Sequence, residues 1–184
     1  MKIYVVRHGQ TKWNLEGRIQ GKTDIELNEK GREQAKTIRD LIAKYDIDLI
    51  ISSPLKRAKE TAEIINSKLK CPIIFDKALE ERCYGEFEGE VRKLIEDEIV
   101  NSQMLHNYNL NLDYKGIEPI KDLCNRVWGL LDNMKEKYKN KNILLISHGG
   151  VIRAINGYFE GIGEDGVIEN PQLSNCEIKI YEMK

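Results

Sequence analysis

Four short apolar runs, each followed within a few residues by a helical pattern, constrain this chain more than any other feature of its sequence. The runs are residues 2–6 (Lys2-Ile3-Tyr4-Val5-Val6), 48–52, 72–75 and 142–146. Between them, Ala35, Ile38, Leu41 and Ile42 share one face of a stretch that Asn28 can cap and that runs to about residue 45. After Pro54, which suits the first turn of a helix, Leu55, Ala58, Ala62, Ile65 and Leu69 recur at alternating three- and four-residue steps. A long pattern over 119–138 carries Ile120, Leu123, Val127, Leu130, Met134 and Tyr138 on one face, and His148-Gly149-Gly150 opens another helix. Near the end, Ile178 and Ile180, with Cys176, alternate with charged residues as a half-exposed edge strand would. Strands alternating with helices give an α/β fold. The expected form is a three-layer sandwich, a mostly parallel sheet with helices on both faces and an antiparallel C-terminal edge strand.

The remaining stretches read as connections. Residues 8–27 are irregular and polar, and a glycine-containing loop covers 80–89. A moderately amphipathic helix is expected around 90–105, and an exposed loop over 107–116. The region 86–117 thus reads as a lid-like insertion in a single domain spanning 1–184. At 184 residues the chain can bury a core without metals or disulfides. The net charge of −1, with lysine and glutamate interspersed, argues against nucleic acid or a membrane surface as partner. No apolar run approaches the roughly 20 residues of a membrane span, and the four-residue apolar stretch before Arg7 is short for a signal peptide. Cys71, Cys83, Cys124 and Cys176 lack CxxC spacing, as expected of reduced thiols in a cytoplasmic protein. Monomer and homodimer both stay open.

In open α/β sheets, ligands sit beyond the carboxyl ends of the strands. The first run ends at Arg7-His8-Gly9. The second is followed by Ser53-Pro54-Leu55-Lys56-Arg57, the third by Leu79-Glu80-Glu81-Arg82, and the fourth by Ser147-His148-Gly149-Gly150. A parallel sheet brings all four sets to one edge, with two of the three histidines among them. A neutral imidazole can attack phosphorus and form a phosphohistidine. Phosphoryl transfer then needs positioning and neutralisation of the equatorial oxygens, for which Arg7 and Arg57 offer permanently charged forks. A protonated His148 and backbone N–H groups after Gly149 would add donors, and Glu81 is the candidate proton donor. Taken singly, each residue has an ordinary explanation as a turn histidine, a solvated arginine or a surface carboxylate. Together they place phosphate-handling chemistry at one sheet edge.

These residues resemble the histidine phosphatase superfamily, the group that includes cofactor-dependent phosphoglycerate mutases. The matching segments are Arg7-His8-Gly9-Gln10-Thr11-Lys12-Trp13-Asn14, Gln20-Gly21 with Asp24 and Leu27, Ser52-Ser53-Pro54-Leu55-Lys56-Arg57-Ala58, Leu79-Glu80-Glu81-Arg82-Cys83-Tyr84-Gly85 and Ser147-His148-Gly149-Gly150. The resemblance implies His8 as the phosphorylated nucleophile, Glu81 as proton donor, and Arg7, Arg57 and His148 as the phosphate pocket. It implies Thr11, Asn14, Gln20 and Gly21 as further phosphate or substrate contacts, with Arg82 and Tyr84 on the substrate and Gly149 beside the phosphate. It also implies that no metal and no cofactor is required. Arg82 and Tyr84 look mutase-like, whereas Cys83, the Gly149-Gly150 pair and the short stretch from Gly85 to Pro119, with Arg92 and Lys93 its nearest basic pair, depart from the mutases. The expectation is therefore a phosphatase of small phosphorylated metabolites. The alternatives are a phosphoglycerate mutase and a non-catalytic phospho-ligand binder.

Other signals carry less. Residues 161–166 match a GxGxxG pattern but follow a helix, so a loop is expected there. His106 reads as a surface histidine with substrate contact as the alternative, and Trp13 and Trp128 as core or pocket-wall packing.

Overall fold

The computed structural model describes residues 1–95, 103–110 and 112–183. Its sheet contains β1 (Lys2–Arg7), β2 (Leu49–Ser52), β3 (Ile73–Phe75), β4 (Ile143–Ser147) and β5 (Ile178–Glu182), in the order β3-β2-β4-β1-β5. The first four are mutually parallel and β5 pairs antiparallel with β1, as the sequence pattern predicts. The four parallel strands read as continuous apolar runs because both faces of the sheet are covered.

Side chains alternate between two cores. Ile3, Val5, Ile51, Ile143 and Leu145 pack with Leu123, Val127 and Leu131 of α4 (Ile120–Lys137) and Ile152 and Ile155 of α5 (Gly149–Glu160). Tyr4, Val6, Ile50, Leu144 and Ile146 pack with Ala35, Ile38 and Ile42 of α2 (Glu29–Ile42) and Ala58, Ala62 and Ile65 of α3 (Lys56–Leu69). Each fully buried leucine or isoleucine contributes roughly 1.5–3 kcal/mol. A third, smaller core joins Ile19, Tyr84, Phe87, Leu105 and Ile117, and gives the 86–117 region an anchor of its own.

Three local expectations change. Thr11 opens a one-turn helix, α1 (Lys12–Leu15), inside the stretch expected to be irregular, because Thr11 and Asn14 form a reciprocal capping box. Pro54 sits just ahead of α3 rather than inside it. Leu55 is the N-cap, and the open Lys56 N–H is satisfied by Asp24 Oδ1 at 2.7 Å. The helix expected around 90–105 does not form where that stretch is described. Arg92–Leu94 and Gln103–His106 are 3-10 turns, while residues 96–102 lie outside the described part. The 161–166 segment is a loop, and it holds residues 107 and 108: Tyr108 N–H donates to Gly166 O at 2.8 Å, and Asn107 Nδ2 to Asp165 O at 2.8 Å. Trp128 packs as expected, stacked on Tyr108 and donating to Ala154 O at 2.7 Å.

Two glycines let the loop after β1 lie against α2. A Cβ on Gly9 would stand 2.5 Å from the Gly31 carbonyl oxygen, and a Cβ on Gly31 would run into the Gln10 backbone. Helix propensity alone favours alanine over glycine at an interior position by about 1 kcal/mol. The contact with Gln10 reverses that sign, since overpacking against backbone costs about 1–3 kcal/mol. Gly31→Ala is therefore expected to lower the urea midpoint; an unchanged or raised midpoint would contradict the close approach.

Candidate active site

The carboxyl edge of the sheet borders a cavity of about 350 Å³. The parallel register sets Arg7 opposite Ser147, so the residues that follow, His8 and His148, stand ring beside ring with centroids 5.0 Å apart. His8 is held from both sides: its N–H donates to Ser147 O at 3.0 Å, and its carbonyl accepts from Asn175 Nδ2 at 2.8 Å. Its ring Nδ1 lies 2.7 Å from Gly9 O. A carbonyl oxygen only accepts, so Nδ1 carries the hydrogen and Nε2 keeps its lone pair. Burial, then the charges of Arg57 and Arg7, push the ring pKa well below the ordinary histidine value. Near neutral pH this is an uncharged imidazole of defined tautomer at the cavity wall.

Arg57 is fully buried and held by three acceptors. Nη1 donates to Thr23 O at 2.9 Å, Nη2 to Gly21 O at 2.7 Å and Nε to His148 Nδ1 at 3.1 Å. One N–H on each terminal nitrogen remains. Burial brings its pKa down to about 10, against the opposing pull of Glu81, Asp24 and Glu88, so it is charged at neutral pH. Arg7 donates through Nη1 to Leu173 O at 2.8 Å, while its buried Nε has no hydrogen-bond partner. An unsatisfied buried donor costs roughly 1–3 kcal/mol, which an incoming acceptor would relieve.

The sequence suggested a protonated His148 as a donor to phosphate, and the structure corrects this. His148 is fully buried and does not line the cavity. Its Nδ1 accepts from Arg57, so Nε2 carries the hydrogen and donates to Ser53 Oγ at 2.8 Å. Burial, and then the Arg57 charge, keep the ring neutral by lowering its pKa far below the usual value. His148 orients Arg57. One backbone donor at the start of α5 is taken: Gly150 N–H donates to Glu81 Oε1 at 3.0 Å, and Arg82 N–H to the same oxygen at 2.9 Å. A side chain at Gly150 would collide there, its Cβ 2.6 Å from Glu81 Oε1. The 3-10 turn Lys77–Leu79 delivers Glu81 to this edge, with Leu79 buried and its carbonyl accepting from Ser147 Oγ at 2.8 Å.

Asn14, Gln20, Gly21, Tyr84 and Gly149 line the cavity with Arg7, His8, Arg57 and Glu81. Thr11 and Arg82 do not. Thr11 Oγ1 donates to Gln20 Oε1 at 2.9 Å, and Asn14 Oδ1 accepts the Thr11 N–H at 3.1 Å, so both amide oxygens are occupied and both NH₂ groups are left for a ligand. Arg82 is turned into the protein, donating to Glu118 O at 2.6 Å and Leu105 O at 2.9 Å. Several wall residues were not expected. Arg153 follows Gly149 by four residues, a spacing that puts both on one helix face and was legible in principle. Asn170 reaches the wall from an irregular segment with no sequence signal, and His106 lines the cavity rather than the surface. Glu88 was missed too. Its carboxylate takes N–H groups of Lys22, Thr23 and Tyr84 at 2.9 to 3.0 Å and so pins the loop whose carbonyls hold Arg57. Among the described residues no group of three or more His, Cys, Asp or Glu is arranged to hold a metal ion, and no helix is long and apolar enough to cross a membrane.

The profile of the histidine phosphatase superfamily (branch 1) matches residues 3–184. The uncharacterized phosphatase PhoE of Bacillus subtilis (strain 168) is 37% identical over 174 residues, covering 95% of this chain and 84% of the relative. The probable phosphoglycerate mutase GpmB of Salmonella choleraesuis (strain SC-B67) is 38% identical over 150 residues, 81% of this chain and 70% of the relative. Among solved structures, Bacillus stearothermophilus YhfR superposes with a TM-score of 0.88 at 28% identity, over 100% of this chain and 91% of that one. An α/β sheet carrying a buried histidine pair and an arginine clamp at its carboxyl edge thus defines a phosphoryl-handling enzyme. The chain belongs to the histidine phosphatase superfamily, among enzymes that hydrolyse phosphomonoesters.

All three histidines are neutral when folded, His106 with its pKa pushed down to about 3 by burial first and then by the Arg153, Arg82 and Arg92 charges. Each folded value lies below the unfolded value of about 6.5. The unfolded chain therefore binds more protons as pH falls, and the stability present above about pH 6.5 is progressively lost below it. The slope approaches roughly 1.4 kcal/mol per pH unit for each histidine. Urea unfolding at pH 7.5, 6 and 5 is expected to show falling midpoints; a flat profile would contradict neutral burial.

Proposed function

We propose that this chain, a single domain with a lid-like region over 86–117, is a metal-independent phosphomonoesterase of small phosphorylated metabolites, acting in the cytoplasm. The observation that carries this reading is the tautomer of His8, with Nδ1–H tied to the Gly9 carbonyl and Nε2 free beside two arginines. In the first step Nε2 attacks phosphorus in line, the P–N bond forms and the P–O bond to the alcohol breaks. Glu81 donates its proton to the departing oxygen. In the second step water attacks the phosphohistidine, Glu81 accepts the proton, and the P–N bond breaks to release phosphate and neutral His8. Arg7 and Arg57 neutralise the equatorial oxygens, a task a metal ion would otherwise perform. The amide NH₂ groups of Asn14 and Gln20 supply further donors. His148 and Ser53 hold the plane of Arg57, and Thr11 holds the two amides.

The orientation of Arg82 supports hydrolysis over phosphoglycerate isomerisation. Its guanidinium serves the fold through Glu118 and Leu105 rather than facing the cavity. An assay converting 3-phosphoglycerate to 2-phosphoglycerate, primed with bisphosphoglycerate, is expected to show no isomerisation.

His8→Ala is expected to reduce p-nitrophenyl phosphate hydrolysis at least a thousandfold while remaining folded, and EDTA to leave the wild-type rate intact. Turnover by folded His8→Ala at the wild-type rate would overturn the mechanism. Glu81→Gln separates the proton donor from the nucleophile. General acid catalysis contributes about 10²–10⁴-fold. The loss should therefore be large for alkyl phosphates and small for the phosphorylation step with p-nitrophenol, whose leaving group needs no proton. Equal losses on both would remove Glu81 from that role.

A further inference from the structure

The two peptide groups that follow His8 are each held at both ends by partners from distant parts of the chain. In the His8–Gly9 peptide the carbonyl accepts from Asn175 Nδ2 at 2.8 Å, and the Gly9 N–H donates to Thr61 Oγ1 at 3.0 Å. Thr61 is fully buried on α3 and gives its own hydroxyl hydrogen to Arg57 O at 2.7 Å, one turn back. In the Gly9–Gln10 peptide the carbonyl takes the His8 Nδ1–H at 2.7 Å, and the Gln10 N–H donates to Gln34 Oε1 at 2.9 Å. A trans peptide is planar, so its N–H and C=O point opposite ways and turn together. Whatever holds the Gln10 N–H therefore aims the carbonyl that sets the His8 tautomer.

Gly9 cannot supply that stiffness itself. Its missing side chain is needed for the close approach of Gly31, and glycine turns about φ and ψ more freely than any other residue. Rotation of the Gly9–Gln10 plane would withdraw the carbonyl from Nδ1. The ring could then carry its hydrogen on Nε2, leaving no lone pair there for phosphorus. Helix α2 is a firm base for the opposite end. Ala35, Ile38 and Ile42 anchor it in the core, and Asn28, its N-cap, donates its N–H to Gln10 O at 2.9 Å and its Nδ2 to Gln10 Oε1 at 3.0 Å. A hydrogen bond at the peptide N–H also polarises the carbonyl and strengthens it as an acceptor.

We propose that Gln34 is a positioning residue for the nucleophile. Its amide oxygen holds the plane of the Gly9–Gln10 peptide, and that plane keeps the His8 hydrogen on Nδ1 and the lone pair on Nε2. Gln34 acts from outside the cavity, half-buried in a surface groove that it shares with Asn175. The proposal rests on the phosphohistidine reading and adds to it the origin of the tautomer.

The test uses Gln34→Met, which keeps the side-chain length and removes the acceptor, with Gln34→Ala as the substitute should Met fail to fold. Gln34→Glu restores an acceptor oxygen. Single-turnover release of p-nitrophenol from p-nitrophenyl phosphate, with enzyme in excess, reads the phosphorylation of His8. A catalytic histidine forced wholly into the wrong tautomer loses about 10⁴-fold. A partial shift in Gln34→Met should therefore slow the release at least about tenfold, and Gln34→Glu should return it to within about threefold of wild type. The competitive inhibition constant of inorganic phosphate should move less than about twofold, because Arg7 and Arg57 keep their places; a general loosening of the site would raise it. Long-range proton–nitrogen spectra of the imidazole rings, with His8 assigned by its loss in His8→Ala, should show Nδ1–H in wild type and a growing share of Nε2–H in Gln34→Met. An unchanged single-turnover rate, weakened phosphate binding in parallel with the rate, no recovery in Gln34→Glu, or an Nδ1–H ring throughout overturns the role of Gln34 and leaves the phosphatase reading standing. A wild-type protein that releases no p-nitrophenol overturns both.

Discussion

Val6 lies opposite Ile146 and Arg7 opposite Ser147, and the rest of the site depends on that parallel register between β1 and β4. Both strands are buried on both faces, so a slip of one residue would exchange their side chains between two different cores. The register is therefore held by the whole apolar interior. Its consequence at the carboxyl edge is that two histidines emerge side by side, each one step past its strand. The first turn of α3 then brings Arg57 across them from the next strand. Chemistry at the edge is a projection of packing in the middle.

The same burial that fixes the histidines also decides their protonation. Two imidazoles 5.0 Å apart beneath buried guanidiniums cannot both hold protons near neutral pH. Neutral His8 keeps a lone pair on Nε2 because its Nδ1–H is tied to the Gly9 carbonyl, and neutral His148 becomes an acceptor for Arg57. Holding buried cations together without a directly paired carboxylate among the described residues is unfavourable. Active sites concentrate this kind of local conflict, which the ligand resolves. Among the described residues, Arg7 with its unsatisfied Nε and His106 with its unpartnered Nδ1 are two places where it is visible.

Much of this is legible in the amino-acid sequence. The four strands and their helices followed from apolar runs and from three- and four-residue periodicity, and the edge strand from alternation. Arg7, His8, Arg57 and Glu81 were legible because strand-end position in a parallel sheet implies convergence. The role of His148 was not. Whether a histidine touches a ligand or braces an arginine depends on the partner of each ring nitrogen, and that partner comes from elsewhere in the chain. Arg82 misled for the same reason: its motif suggested substrate, but Glu118 and Leu105 take its donors. Asn170, and Glu88 as the anchor of the Arg57 loop, carried no local signal, because irregular segments obey no period. The stretch around 90–105 defeated periodicity in the other direction. Its pattern was helical, yet the described parts settle as 3-10 turns over a small core of their own.

By itself the sequence determined the layer architecture, the parallel character of the four leading strands and the convergence of Arg7, His8, Arg57 and Glu81 at one sheet edge, since these rest on local periodicity and on residue type at strand ends. Tertiary structure alone decided tautomers and the division between residues that face the cavity and residues that brace it. Those properties depend on which atoms meet across long sequence separations, and on how much water is left between them.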